Sequence, residues 1–312
     1  MSKYIKDHSL SVGYNNTGQE FFDILYKYEK YIHSYFFSFS ESMTCDKYNV
    51  IEVIDKLEKS NTYGIPANIL FNTRDDKSII FFINLAKSFL NLTSITLFDL
   101  KNIKFIKNEY PYLSIHLSVR YFDWNNNSID DLLQNIIKDD LYKYIDAINI
   151  SGNRSFNDHE LINVIHSLGI KVKFITNESC IINRSNNYSN FKNFEKLDCV
   201  NSQCNKYCLS IISKYPWMEL ARINLIKEML QYYDIDILKI SSRNIYDNEY
   251  IRSIIDYWIT DENTKNIYPP DGTLDISKHY DMFLEWCKEK SFCRGNCVIC
   301  KKCKKYYDIF IK

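Results

Sequence analysis

The ten cysteines are the residues of this chain best suited to inorganic chemistry. Cys45, Cys180, Cys199, Cys204 and Cys208 lie in the body, while Cys287, Cys293, Cys297, Cys300 and Cys303 crowd the C-terminal end. No secretory signal is visible in the polar, mixed-charge start MSKYIKDHSL. The most apolar window, Ser78 to Leu92, is interrupted by Lys87 and is too short to span a bilayer. The expectation is therefore a cytoplasmic protein with no membrane contact. In a reducing compartment clustered thiols read as metal or cluster ligands rather than as disulfides. Thiolates are soft donors, and four of them suit zinc or an iron–sulfur cluster. Taken alone, Cys45 or Cys199 is equally well read as a small buried hydrophobe.

The tail reads WCKEKSFCRGNCVICKKCKKYYDIFIK. Cys293-x3-Cys297-x2-Cys300 has the radical-SAM spacing, but such motifs follow the first strand of a barrel, so the match reads as a decoy. With Cys303 the run becomes C-x3-C-x2-C-x2-C, a compact ferredoxin-type pattern read backwards, which would hold a second cluster or zinc. Cys287 falls on a predicted helix over Ser277–Lys290 and reads as a spare thiol. Lys301, Lys302, Lys304 and Lys305 flank Cys303 and would suit RNA phosphates or an acidic protein face. A solvated helix end is the commoner explanation of such a run.

These groups need elements to position them. Short β-branched or aromatic runs predict eight strands: Leu10–Tyr14, Ile32–Phe39, Ala67–Asn72, Ser94–Phe98, Leu113–Val119, Ala147–Ser151, Lys171–Thr176 and Ile235–Ile240. Helical spacing falls between them, over Asn49–Ser60, Asp76–Leu90, Ser128–Tyr144, Asn157–Leu168 and Trp217–Tyr233, and after the last strand over Asn248–Ile259. Thr17-Gly-Gln-Glu20 predicts a capping box ahead of FFDILYKYEKY. The alternation predicts an α/β fold, a (β/α)8 TIM-type barrel over 1–260, with a C-terminal helix and Cys-rich metal-binding tail over 261–312. An open doubly wound sheet is the alternative. From Asn177 to Tyr215 no periodicity is visible; four cysteines fall in this long connection after strand 7, which favours a functional loop.

In such a barrel the chemistry sits on loops leaving the C-terminal ends of strands. Cys45 follows the second strand; Cys180, Cys199, Cys204 and Cys208 follow the seventh. The alternation thus sends all five to one face. Asn72 and Arg74, Arg120 and Asp123, Asn153 and Arg154, and Ser242 and Arg243 follow other strands to the same rim. Arginines there would suit a carboxylate or phosphate substrate, or serve as ordinary surface ion-pair partners. Lys239 lies inside the last strand, so its ammonium needs a partner or a cavity. Arg154, Lys239 and Arg243 are the catalytic candidates. His116, within a strand, reads as a satisfied core histidine. No nucleophile elbow, zincin, P-loop or dinucleotide motif is present, so peptidase activity is not expected. Lys+Arg and Asp+Glu both number 39, which weighs against broad nucleic-acid binding.

Four stretches together resemble the U32 family, collagenase-like "peptidases" that include iron–sulfur hydroxylation proteins. KFITNESC (173–180) is similar to its strand with Asn-Glu-x-Cys. INISGNRSFNDHELINVI (148–165) resembles its strand, Ser/Arg turn and helix. Tyr110-Pro-Tyr-Leu-Ser-Ile-His-Leu-Ser118 and ILKISSRNIYDNEYI (237–251) resemble two further segments. The resemblance implies a barrel iron–sulfur cluster, of the 4Fe-4S type. In the pattern of the anaerobic ubiquinone-biosynthesis accessory proteins, Cys45 would be the early ligand, Cys180 the Asn-Glu-x-Cys ligand, and Cys204 with Cys208 the closing pair. Cys199 has no counterpart and could stand in for Cys45 or Cys204. The family further implies an enzyme acting without oxygen on a small aromatic or nucleobase substrate. A non-catalytic subunit of a heterodimer and an RNA-modifying enzyme are the other readings it leaves open.

Overall fold

The computed structural model describes residues 5–39 apart from 8, 50–71, 79–80, 83–84, 87–97, 100–119, 121, 129–151, 159–177, 234–241 and 247–260, with 223, 227, 230, 279, 281, 282 and 285. Eight parallel strands close into a barrel in chain order: β1 (Leu10–Gly13), β2 (Ile32–Phe39), β3 (Ala67–Phe71), β4 (Leu92–Leu97), β5 (Ser114–Leu117), β6 (Ala147–Ser151), β7 (Lys171–Ile175) and β8 (Ile237–Ile240). β8 pairs with β1 through Leu10↔Leu238 and Val12↔Ile240, which closes the ring and excludes the open sheet. The described helices are α1 (Gln19–Lys27), α2 (Val50–Thr62), α3 (Ile103–Glu109), α4 (Ile129–Lys138), α5 (His159–Ser167) and α6 (Asn248–Thr260). None of them is long and apolar enough to cross a membrane.

The strands alternate, and both of their faces are buried. Leu10, Val12, Ile69, Ile95, Ile115, Ile148, Val172, Phe174 and Ile240 point outward into the packed shell beneath the helices. α1 buries Phe21, Phe22 and Leu25 there; α6 buries Tyr250, Ile251, Ile254, Ile255, Tyr257 and Trp258. Tyr35 is fully buried among aromatic rings, and its hydroxyl donates to the Lys56 carbonyl at 3.1 Å.

Two aspartates fasten the strand starts in the same way. Asp146, just before β6, accepts the Ile115 amide of β5 at 2.8 Å and the Lys107 ammonium at 2.9 Å. Asp236, just before β8, accepts the Val172 amide of β7 at 2.8 Å and lies 2.9 Å from His166 Nε2. Each spans two neighbouring strands at the N-terminal end, where a charge-assisted bond fixes register.

Some local expectations differ. The capping box is not formed: Gly18 is the N-cap, at φ 70°, with no side-chain cap. Thr17 instead donates to Asn248 Oδ1 at 2.7 Å, and Glu20 accepts from Asn248 Nδ2 at 2.9 Å. Both residues expected in the box thus tie α1 to the start of α6. The helix expected over Ser128–Tyr144 stops at Lys138, because Asp140 adopts a left-handed φ of 56° and a 3-10 turn follows over Leu141–Tyr144. The short α3 was not expected; only Ile103 and Ile106 face the core. Of the expected helices at 76–90, 217–233 and 277–290, only scattered residues are described.

Candidate functional site: a polar lumen with two lysines

A parallel barrel is normally filled by branched apolar side chains. Here the inward positions are largely polar. Contacts between strands that are not neighbours can only cross the lumen, and they define it. Asn68 of β3 donates through Nδ2 to Ser94 Oγ at 2.7 Å and to His116 Nδ1 of β5 at 3.2 Å. Its Oδ1 accepts from Thr96 at 2.8 Å, so both N–H donors and the carbonyl of that amide are engaged. Lys239 Nζ of β8 donates to Asn149 Oδ1 of β6 at 3.4 Å. It lies 4.3 Å from the centre of the Phe36 ring of β2, and Lys173 Nζ of β7 lies 5.8 Å from the same centre.

Both lysines are buried: Lys173 is 1% exposed and Lys239 5%. No buried residue among those described is Asp or Glu. Burial, and then the neighbouring Lys239, holds Lys173 well below an ordinary lysine. Burial, followed by Lys173, His33, Lys239 and Lys171, holds His116 well below an ordinary imidazole. His116 is therefore neutral at pH 7; because Nδ1 accepts from Asn68, its proton is on Nε2. The lumen offers hydrogen-bond donors and, among the described residues, no buried carboxylate, which suits an anionic group above it.

At the C-terminal end, β7 and β8 are clamped together beyond their ladder. Thr176 N–H and Oγ1 both donate to the Lys239 carbonyl, at 2.9 and 3.1 Å. Asn177 Nδ2 donates to the Ser241 carbonyl at 2.7 Å, and the Ser241 amide donates to Asn177 Oδ1 at 2.6 Å. Asn177 is the Asn of the Asn-Glu-x-Cys stretch, so this amide fixes where the chain leaves β7 toward Cys180.

Of the expected site residues, Lys239 lies in the lumen. His116 also lies there, with its Nδ1 hydrogen-bonded to Asn68. Cys45, Cys180, Cys199, Cys204, Cys208, Cys287, Cys293, Cys297, Cys300, Cys303, Arg154 and Arg243 fall outside the described residues, as do Asn72, Arg74, Arg120, Asp123, Asn153 and Ser242. Among the described residues no group of three His, Cys, Asp or Glu forms a metal site. Sequence reasoning missed Lys173, Asn68 and Asn149. Their signal was present: each alternates with apolar residues in a strand with no face open to water.

No protein-family model matches the chain. No curated protein matches it either. Among solved structures, a U32 peptidase is similar at 9% identity over 78% of this chain and 97% of that one, with a TM-score of 0.41. The tryptophan synthase α-subunit of Pyrococcus furiosus is similar at 10% identity over 92% and 97%, with a TM-score of 0.45. A psychrophilic family 10 endo-β-1,4-xylanase is similar at 8% identity over 77% and 87%, with a TM-score of 0.40. The closed barrel rests on the strand pairing of this chain, not on those likenesses.

Proposed function

We propose that the chain is an iron–sulfur protein of the U32 type, performing or assisting oxygen-independent modification of a small aromatic or nucleobase substrate at the C-terminal mouth of the barrel. One observation supports this most. β2 and β7 are parallel strands of one closed barrel, so the chain leaves both at the same rim. Cys45 follows the end of β2 by six residues, and Cys180 follows the end of β7 by five. Thiols distant in sequence thus start from one end of the fold. Four thiolates make a cluster anionic, and the lysine-bearing lumen below that rim is complementary in charge. Cys45, Cys180, Cys204 and Cys208 would hold the cluster, with Cys199 a fifth thiol able to replace Cys45 or Cys204. Cys293, Cys297, Cys300 and Cys303 would hold a second cluster or zinc. A cluster supplies electron transfer; Lys239 would orient an anionic or carbonyl group of the substrate beneath it.

The test is anaerobic purification followed by iron and acid-labile sulfide analysis and a visible absorption spectrum. The reading expects a brown protein holding iron and sulfide in equal amounts. A colourless protein that contains only zinc contradicts it.

A further inference from the structure

We infer that the N-terminal end of the barrel, opposite the mouth, carries a second ligand site that takes the carboxylate of a small, partly apolar molecule. The pocket has a volume of about 450 Å³ and is bounded by the strand starts Ser114, Lys171 and Ile237, by His33 and His116, and by the Tyr142–Asp146 and Leu168–Gly169 turns. Three observations carry the assignment, and none depends on the cysteines.

The first is a bulge. Leu10 pairs with Ile32 and Ser11 with Ser34, so β2 holds one extra residue, His33. Bulges at barrel rims re-aim a side chain, and this one brings the His33 ring to 5.9 Å from that of His116. The second is a buried donor. His116 is 2% exposed and lines the pocket. Its Nδ1 is occupied by Asn68 on the lumen side, so Nε2–H is the donor left for the pocket. A carboxylate oxygen would accept that hydrogen.

The third observation sets the ligand class. The backbone amides of the surrounding turns are spent: Ile145 on Tyr142, Asp146 on Ile115, Gly169 on His166 and Lys171 on Asp146. Asp146 is held by Lys107 and the Ile115 amide. Recognition therefore falls to side chains, among them the His116 N–H, the Lys171 ammonium and the Ser114 hydroxyl. A wall whose turn amides are already paired fits a carboxylate rather than a phosphate, which draws on several backbone amides. Ile145, Leu168 and Ile237 give the rest of the ligand an apolar wall.

The test uses the full chain with histidine ring labels, titrated with benzoate, acetate and inorganic phosphate and followed by NMR. Benzoate is expected to move the His116 resonances saturably and to bind more tightly than acetate or phosphate. Lys171→Met, at an exposed position, should weaken benzoate by about tenfold or more. Leu168→Trp, which fills the pocket, should abolish the shift while the barrel circular dichroism persists. If Leu168→Trp fails to fold, Lys171→Met decides. A His116 signal that does not move, a Lys171→Met variant that binds benzoate unchanged, or phosphate binding as tightly as benzoate would overturn the assignment. None of these readouts requires iron, so failure here and failure of the cluster reading are separable.

Discussion

Asn177 and Ser241 exchange two hydrogen bonds, at 2.7 and 2.6 Å, one residue or more past the ends of the strands that carry them. The side-chain amide extends the β7–β8 ladder where the backbone ladder has stopped. Asn177→Ala leaves the Ser241 amide and carbonyl without those partners, at a cost of about 2 kcal/mol. Urea unfolding measures that loss. In the cluster reading, iron content per chain should also fall, because the segment entering Cys180 loses its anchor.

Lys173 is buried over Phe36 with Lys239 beside it. An unfolded lysine titrates at about 10.4, and Lys173 in the fold titrates well below that. Between those two points the unfolded chain holds the extra proton, so this residue makes stability rise as pH rises toward 10. Lys173→Met removes the cost and should stabilise the barrel by about 1–4 kcal/mol at pH 7, while flattening that rise. Denaturant midpoints at pH 7 and pH 9.5, compared between the two chains, check both effects.

His116 follows the same relationship in a lower pH window. Its folded value lies below the unfolded one of about 6.5. Its contribution to stability is thus complete above that pH and is lost as pH falls below it and the unfolded state takes up a proton. Asn68→Asp would set a carboxylate against Nδ1, raise the His116 pKa and move the proton balance toward the fold. An NMR pH titration should show His116 neutral near pH 6 in the parent and charged there in the variant.

Asp236 and Asp146 each accept a backbone amide from the preceding strand. Asp236→Ala strands the Val172 amide and releases His166, so a loss of about 1–3 kcal/mol is expected. Lys6, at a surface ion pair with Asp234, serves as the control: Lys6→Ala should change stability by less than about 1 kcal/mol.

The barrel was legible because β-branched runs recur between helical spacings, and its strands begin and end within a few residues of where the sequence sets them. The cores of α2, α5 and α6 were equally clear, since each keeps apolar residues three and four apart. Thr17 and Glu20 misled because a capping pattern is local, whereas both side chains are claimed by Asn248 from the far end of the chain. The lumen was legible only in part. Lys239 stood out as a charge inside a strand. Asn68, Asn149 and Lys173 look like the solvent side of ordinary strands until the ring closes and leaves that side no water.

The account depends on the body thiols holding a cluster of their own. Mössbauer spectra of anaerobically purified protein, intact and cut before Cys293, test this directly. The account predicts that the cut chain keeps one cubane cluster, that this cluster is lost in Cys180→Ser, and that the intact chain holds the same cluster with or without a second centre. A cut chain that folds and carries no iron would contradict it.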